Sequence, residues 1–379
     1  MLMALQLDTA LIKTASRCNY DCSYCYVYQG KDTSWRAQPK RMALDVIDSL
    51  VDRLIHQANA QAAGFAIVLH GGEPLLLGLE NLTVLVKKLR EKLDSQRYPI
   101  SLQTNGALLN EEFLELFSRE KISVSVSIDG DQGANDIARV DVNGKTTFPK
   151  TIKGIQVLRS HTDSEFLFAG TLSVIQPSIP AKKTYDFLKS IGSPNMDFLM
   201  QDGNHDRLPQ GKSSFKSTEY GDWLCELFEC YASDPSPVPI RFFDDIVRLL
   251  LGDSGTKEGQ GTDPYGILIF ETDGEIRKND TLRSSFDGAD FFTSRWNVRD
   301  TKISEVLSSK EFSEYAHMQI PICESCNSCE YLSVCGGGMP LYRWSESNGY
   351  DSPSVYCHDH MKIIRFVKER LMREGVECV

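Results

Sequence analysis

The sequence predicts an α/β fold: a partial barrel of about six β/α units, then a small cysteine-rich α+β domain. Three observations carry this. Short apolar runs alternate with longer amphipathic stretches through the first 200 residues, the pattern of parallel strands with helical crossovers. The alternation stops in a polar stretch at Gln201–Ser217. Cysteines then crowd the region after a hairpin signal. Six units fall short of the eight that close a full barrel. An open dinucleotide-binding sheet is the rival, but no G-x-G-x-x-G follows the first strand.

Strands are expected at Leu5–Lys13, Phe65–His70, Ile100–Thr104, Ile122–Ile128, Phe166–Val174 and Met196–Met200. Helices are expected near Met42–Asn59, Asn81–Leu93, Glu111–Ser118, Pro149–Ser160 and Ile179–Ser190, and Asn110-Glu-Glu reads as a cap with an acidic first turn. After the polar loop, two amphipathic helices are expected around Tyr220–Tyr231 and Phe242–Leu251, and Gly252–Gly261 reads as a joint. The hairpin signal is Gly266–Glu271, Thr272-Asp-Gly and Glu275–Arg277; a basic helix His360–Arg373 closes the chain. The expected domains are therefore 1–210, a helical linker 211–261, and 262–379.

The chain has 379 residues, 41% hydrophobic and 25% charged, with a formal net charge of −11. That is long enough for a substantial core without disulfides. The negative charge repels a phosphate backbone, so no nucleic-acid partner is expected. No apolar run reaches the ~20 residues of a membrane span and no signal peptide precedes the first strand, so a cytoplasmic location is expected. The eleven cysteines are an odd set, and seven lie in two clusters. In a long chain without a secretion signal, such clusters point to metal or iron–sulfur ligation.

The first cluster, Cys18-x3-Cys22-x2-Cys25, directly follows the first strand, at the carboxyl end where parallel barrels place chemistry. Three thiolates fill three corners of a cubane, and no fourth cysteine is near. The open iron is what a metal-binding substrate needs; a zinc knuckle borrowing a distant histidine is the alternative. Gly71-Gly-Glu-Pro74 ends the second strand, Gln103-Thr-Asn-Gly106 the third and Ser127-Ile-Asp-Gly130 the fourth. Two glycines and a proline suffice for a plain turn, but Glu73 is placed to accept from an ammonium. Short polar side chains at successive strand ends converge on one cavity mouth. Arg139, in the loop after Asn135 and Asp136, is a candidate carboxylate clamp or a surface ion pair. The second cluster is Cys323-x2-Cys326-x2-Cys329-x5-Cys335-Gly-Gly-Gly, with Cys357 further on; by spacing alone structural zinc is a rival.

The first cluster, with Tyr24 before its last cysteine, resembles the radical SAM signature, and Gly71-Gly72-Glu73-Pro74 resembles the GGEP motif of that family. The resemblance implies a [4Fe–4S] cluster held by Cys18, Cys22 and Cys25, whose open iron chelates S-adenosyl-L-methionine and, on reduction, yields a 5′-deoxyadenosyl radical. It assigns Gln103, Thr104, Asn105, Ser127, Asp129 and Arg139 to the cofactor. Cys326, Cys329, Cys335 and Cys357 resemble the later half of a SPASM domain, implying one auxiliary [4Fe–4S] cluster. Ligands of a second are missing, because Gly274–Asp280 and Gly336–Met339 hold no cysteine. Cys323 is surplus, an alternate ligand or an inert thiol. The fold implied is thus a partial (β/α)6 radical SAM barrel followed by a SPASM/twitch-like α+β domain.

Within that family, Cys335-Gly-Gly-Gly, Arg343-Trp and Asn348-Gly-Tyr-Asp-Ser-Pro-Ser-Val-Tyr-Cys357 resemble maturases that install three-residue cyclophanes in ribosomal peptides. So do Arg17–Tyr28, His70–Leu76 and Phe198–His205. Where that subgroup commonly has His-Arg-Tyr, this chain has Tyr342-Arg343-Trp344. The expected reaction is abstraction of a side-chain β-hydrogen and a carbon–carbon crosslink to an aromatic ring, with Asp202, His205 and Asp280 as candidate bases. The expected partners are a precursor peptide and a flavodoxin- or ferredoxin-type donor; since little sequence precedes the first strand, leader binding is expected to be either internal or supplied by a partner in trans. The alternatives are thioether formation, formylglycine generation in a sulfatase, or a non-catalytic zinc-stabilised binding protein.

Overall fold

The computed structural model describes residues 6–256 and 258–378. Contacts group the chain into two compact units that interleave along the sequence. The first comprises residues 1–127, 136–170 and 265–315, and the second comprises 128–135, 171–264 and 316–379. The expected domains were contiguous stretches; the observed grouping is not.

In the first unit, strand β1 (Thr9–Ala15) is followed by α1 (Leu44–Ala60), β2 (Ala66–Gly71), α2 (Leu79–Arg90), β3 (Ile100–Thr104), α3 (Glu111–Arg119), β4 (Ile122–Ser127) and α4 (Phe148–Ser160). Strands β1 to β4 are parallel and adjacent in sequence order. Leu5, the expected start of the first strand, lies outside the described residues. The α1 helix forms because Val46, Ile47, Leu50, Val51 and Leu54 recur at three- and four-residue spacing and bury one stripe. Each fully buried leucine contributes about 1.5–3 kcal/mol. The Asn110 side chain accepts from the Phe113 N–H at 3.0 Å, which starts α3 where the sequence places it. In β3 and β4 alternate residues are buried, whereas Ile12–Ala15 of β1 are buried without alternation, as befits a strand covered on both faces.

The hairpin, expected to open a separate domain, belongs to this first unit. Its strand β7 (Ile267–Phe270) runs parallel to β1, with Thr9 opposite Ile267, and β8 (Ile276–Arg277) pairs antiparallel to β7. A four-residue apolar run reveals a strand but not its partner, which is why the sequence left this open.

In the second unit, the end of β5 (Phe168–Val174) pairs in parallel with β6 (Met196–Leu199), and α5 (Ala181–Ser190) crosses between them. Helices α6 (Glu219–Ser233) and α7 (Arg241–Leu250) follow, and both pack on the long C-terminal helix α8 (Cys357–Arg373). That helix starts three residues earlier than expected, which makes Cys357 its first residue. Gly221 of α6 crosses α8 so closely that a Cβ there would stand 2.9 Å from the Asp359 Cα. Asp359 anchors the crossing. Its Oδ1 accepts from the Gly221 N–H at 2.8 Å, and its Oδ2 lies 2.5 Å from Lys212 Nζ, both side chains being fully buried. No helix among the described residues is long and apolar enough to cross a membrane.

Removing one partner of a buried ion pair strands the other charge. Lys212→Met should therefore destabilise the protein by about 3–5 kcal/mol in urea unfolding, and Lys212→Met with Asp359→Asn should recover much of that loss.

Candidate functional site

The cysteine loop is built by a close approach of the exits of β1 and β2. Gly71 has φ +143°, and a Cβ on it would stand 2.2 Å from the Ala15 carbonyl oxygen. A Cβ on Gly72 would fall 1.9 Å from the Tyr28 hydroxyl and 2.4 Å from the Arg17 carbonyl oxygen. Only glycine fits there. The backbone seals the contact: Gly72 N–H donates to Ala15 O at 2.9 Å and Glu73 N–H to Arg17 O at 3.0 Å. The two glycines thus bring the loop carrying Cys18, Cys22 and Cys25 against the end of β2.

Glu73 is fully buried and serves as a hub. Its Oε1 accepts from the Thr104 hydroxyl at 2.7 Å and the Leu75 N–H at 3.1 Å, and its Oε2 from the Asn105 N–H at 2.9 Å. Burial raises its pKa, and these donors oppose the rise. Pro74 takes the first position of the short helical turn that Glu73 caps. Asn105 in turn donates through Nδ2 to Asn19 Oδ1 at 2.7 Å, and that nitrogen lies 3.8 Å from Cys18 Sγ. Gln103 Nε2 donates to Ser127 Oγ at 2.7 Å. Arg139, 6% exposed, donates to the Tyr24 hydroxyl at 2.9 Å, so it is not a surface ion pair. Asp129, in the second unit, accepts there from the Val174 N–H at 2.9 Å.

The described residues include all eleven cysteines, and none is in a disulfide. Burial first, then the charges of Glu73, Cys22 and Cys25, pushes Cys18 up to about 12; burial and then the charge of Cys22 pushes Cys25 up to about 11. In the second unit, burial and the charges of Cys357 and Cys329 push Cys335 up to about 12, and Cys326 is raised by burial and by Cys323. Each set therefore gathers its thiols within electrostatic reach of one another. Among the described residues no three His, Cys, Asp or Glu side chains stand close enough to hold a single metal ion. A cubane does not require that, because its thiolates bind different irons. The donor chemistry fits a cluster in both places, three thiols at the first and more than four at the second.

The sequence reading missed two residues beside Asp280. Lys13 of β1 is 2% exposed, and its Nζ lies 2.5 Å from Asp280 Oδ2. The Tyr26 hydroxyl, one residue past Cys25, donates to the same oxygen at 2.8 Å. The signal was available: a lysine inside an apolar strand must have a buried partner. Behind Asp280 lies a buried ionic group in which Arg277 and Arg283 meet Glu271, Glu275 and Asp290. Burial alone would raise the Asp280 carboxyl, but the charges of Lys13, Arg283 and His70 outweigh it and hold it well below the usual carboxylate range.

The other two candidate bases lie in the second unit. His205 is built into the framework: its Nε2 lies 2.7 Å from the Pro353 carbonyl oxygen, its N–H donates to Trp344 O at 2.9 Å, and its ring stacks on Phe215. A carbonyl only accepts, so Nε2 carries the proton there. Asp202 lies within electrostatic reach of Tyr342 and Tyr356.

Residues 12–174 match the model of the Radical SAM superfamily. The chain is 26% identical to a cysteine-type anaerobic sulfatase-maturating enzyme of Clostridium perfringens, over 96% of each chain. It is 24% identical to a serine-type anaerobic sulfatase-maturating enzyme of Bacteroides thetaiotaomicron, over 94% of this chain and 90% of the other. Among solved structures, a histidine-tagged form of anSMEcpe with bound AdoMet superposes with a TM-score of 0.82 at 25% identity, covering 97% of this chain and 95% of that one. Streptococcus suis SuiB bound to S-adenosylmethionine shares the fold at 13% identity, with a TM-score of 0.60, covering 89% of this chain and 74% of that one. Residues 12–174 thus carry a radical SAM domain, and over nearly its whole length the chain is similar to anaerobic sulfatase-maturating enzymes. Radical SAM chemistry runs on a [4Fe–4S] cluster and S-adenosylmethionine.

Asp280 offers a test with a defined sign. A depressed pKa contributes stability above the unfolded value, ~3.9, and loses it as pH falls through the folded value. Asp280→Asn strands Lys13 and should cost about 3–5 kcal/mol at neutral pH. In urea unfolding the gap from the parent should be flat from about pH 5 to 8 and shrink below about pH 4.

Proposed function

We propose that the chain oxidises a side chain of a ribosomally made precursor peptide, taking a hydrogen from a β-carbon and closing a carbon–carbon bond from that carbon to an aromatic ring of the same peptide. The observation that carries this reading is the difference between the two cysteine sets. Cys18, Cys22 and Cys25 leave one cluster position open to a ligand, whereas Cys326, Cys329, Cys335 and Cys357 close theirs and suit it to moving electrons.

When bound, the first cluster and S-adenosylmethionine supply a 5′-deoxyadenosyl radical as hydrogen acceptor. The chain's own residues do the rest. Gly71, Gly72 and Pro74 shape the wall against which the methionine part lies. Glu73 spends three of its roughly four lone pairs within the protein, leaving capacity for one ammonium N–H. Gln103, Thr104, Asn105 and Ser127 would hold the nucleoside, with the Tyr24–Arg139 pair beside them. Ring closure leaves one electron and one proton to remove. Cys326, Cys329, Cys335 and Cys357 would hold an auxiliary cluster, which would supply an acceptor for the electron. Once the electron has left, the ring is a cation acidic enough to protonate even a carboxylate held below its usual range, and Asp280, fixed by Lys13 and Tyr26, takes that proton. Asp202 is a reserve base, and His205 holds the Pro353 segment instead. A flavodoxin- or ferredoxin-type protein supplies the reducing electron.

The likeness to sulfatase-maturating enzymes over 94–96% of the chain supports a second reading, oxidation of a peptide cysteine or serine to formylglycine. Both readings begin with a hydrogen on a β-carbon and remove two electrons. The crosslink is preferred because Gly274–Asp280 and Gly336–Met339 lack the cysteines of a second auxiliary cluster and resemble the cyclophane maturases.

The products separate the two. Short reading frames beside the gene, searched for an aromatic-x-x motif, give the peptide to synthesise. Treated with reduced enzyme and S-adenosylmethionine, it should become lighter by two hydrogens while 5′-deoxyadenosine forms. Deuterium on the β-carbon of the residue two after the aromatic should appear in deoxyadenosine, and ring deuterium should pass to solvent. An aldehyde trapped by hydrazine establishes the formylglycine reading instead, and label arriving from an α-carbon defeats both.

A further inference from the structure

The second cysteine set has two buried companions that no step above uses. His360 lies one helical turn after Cys357 on α8, so both face the same way, and its Nδ1 is 3.5 Å from Cys335 Sγ. The ring is held in place by the glycine run. Gly338 has φ +68°, and a Cβ on it would press on the His360 Cε1 at 3.1 Å. Arg343 is 1% exposed. Its Nη2 donates to the carbonyls of Met318 and Gln319, its Nε has no partner, and the charges acting on it come from Cys326, Cys323, Tyr350 and Cys335. Among the described residues no carboxylate pairs with it. A buried cation without an anion costs several kcal/mol. A cluster held by four thiolates carries net negative charge and supplies what Arg343 lacks.

We infer that His360 and Arg343 are positioning residues that raise the reduction potential of the auxiliary cluster, His360 by an N–H hydrogen bond to the Cys335 thiolate and Arg343 by its buried charge. Reduction adds negative charge to the cluster, and a donor or cation beside a ligand sulfur stabilises the reduced form more than the oxidised one. The inference rests on the auxiliary-cluster reading and deepens it. Ring closure hands one electron to this centre while the proton goes elsewhere, so a raised potential makes the centre a better acceptor.

The test separates the two layers. In the triple variant Cys18→Ala, Cys22→Ala, Cys25→Ala, iron and sulfide analysis should find about four irons per chain. An empty site there defeats the cluster reading, and this inference with it. On that loaded background, potentiometric titration followed by EPR reads the potential. His360→Phe and Arg343→Gln should each reduce the equilibrium constant for reduction at least tenfold, a shift of about 59 mV for one electron. His360→Gln, which keeps an N–H donor, and Arg343→Lys, which keeps the charge, should restore most of it. Unchanged potentials with full iron overturn the proposal. Should a variant lose its iron, pulsed EPR of the triple variant grown on 15N-histidine decides for His360 without touching it. Nitrogen coupling to the reduced cluster supports the hydrogen bond, and its absence overturns it.

Discussion

Everything around Cys18, Cys22 and Cys25 depends on the chain passing over Gly71 and Gly72 with no room for a side chain. The contact is steric and absolute, but it would be weak without Glu73, which converts it into a fixed joint. One carboxylate takes donors from its own turn and from the end of β3, and Asn105 at that strand end reaches back to Asn19 in the cysteine loop. Three segments distant in sequence therefore share a single buried acid. A shift of any one is felt by the other two, which is how a loop with little regular structure holds three thiols in a set geometry.

A second constraint is electrostatic. The first unit buries Lys13, Arg277 and Arg283 with Glu271, Asp280 and Asp290, a concentration of charge that contributes little net stability compared with apolar packing. Its value lies in what it fixes. Lys13 sits on β1 immediately before the cysteine loop, and Asp280 follows the β7–β8 hairpin, so their ion pair holds the catalytic candidate to the strand that presents the first cluster. Tyr26 adds a third hold from within the loop itself.

Much of this was legible in the sequence because it is local. Period-two and period-3.6 patterns marked β3, β4, α3 and α4 to within a residue or two, and cysteine spacing marked both clusters. What stayed hidden was pairing at a distance. Nothing in Ile267–Phe270 says that it lies beside Thr9–Ile12, and nothing around Lys13 names residue 280. The contacts of His205 and Arg139 were equally hidden: the His205 ring meets the Pro353 carbonyl, and Arg139 donates to the Tyr24 hydroxyl. His360 and Arg343 carried no spacing signal at all, since their meaning arises only where α8 and the glycine run meet around Cys335.

The parallel pairing of β7 with β1 also bears on how the chain is made. Thr9 lies opposite Ile267, so one side of an apolar strand waits for a partner synthesised 258 residues later. At ordinary translation rates that delay is roughly 10–50 s. Throughout it the Leu11–Ile12 edge presents unpaired backbone groups to any extended segment in the crowded cell. A ribosome-bound holdase, or slow release of the nascent chain, would matter more for this enzyme than for one whose first strand pairs only with near neighbours.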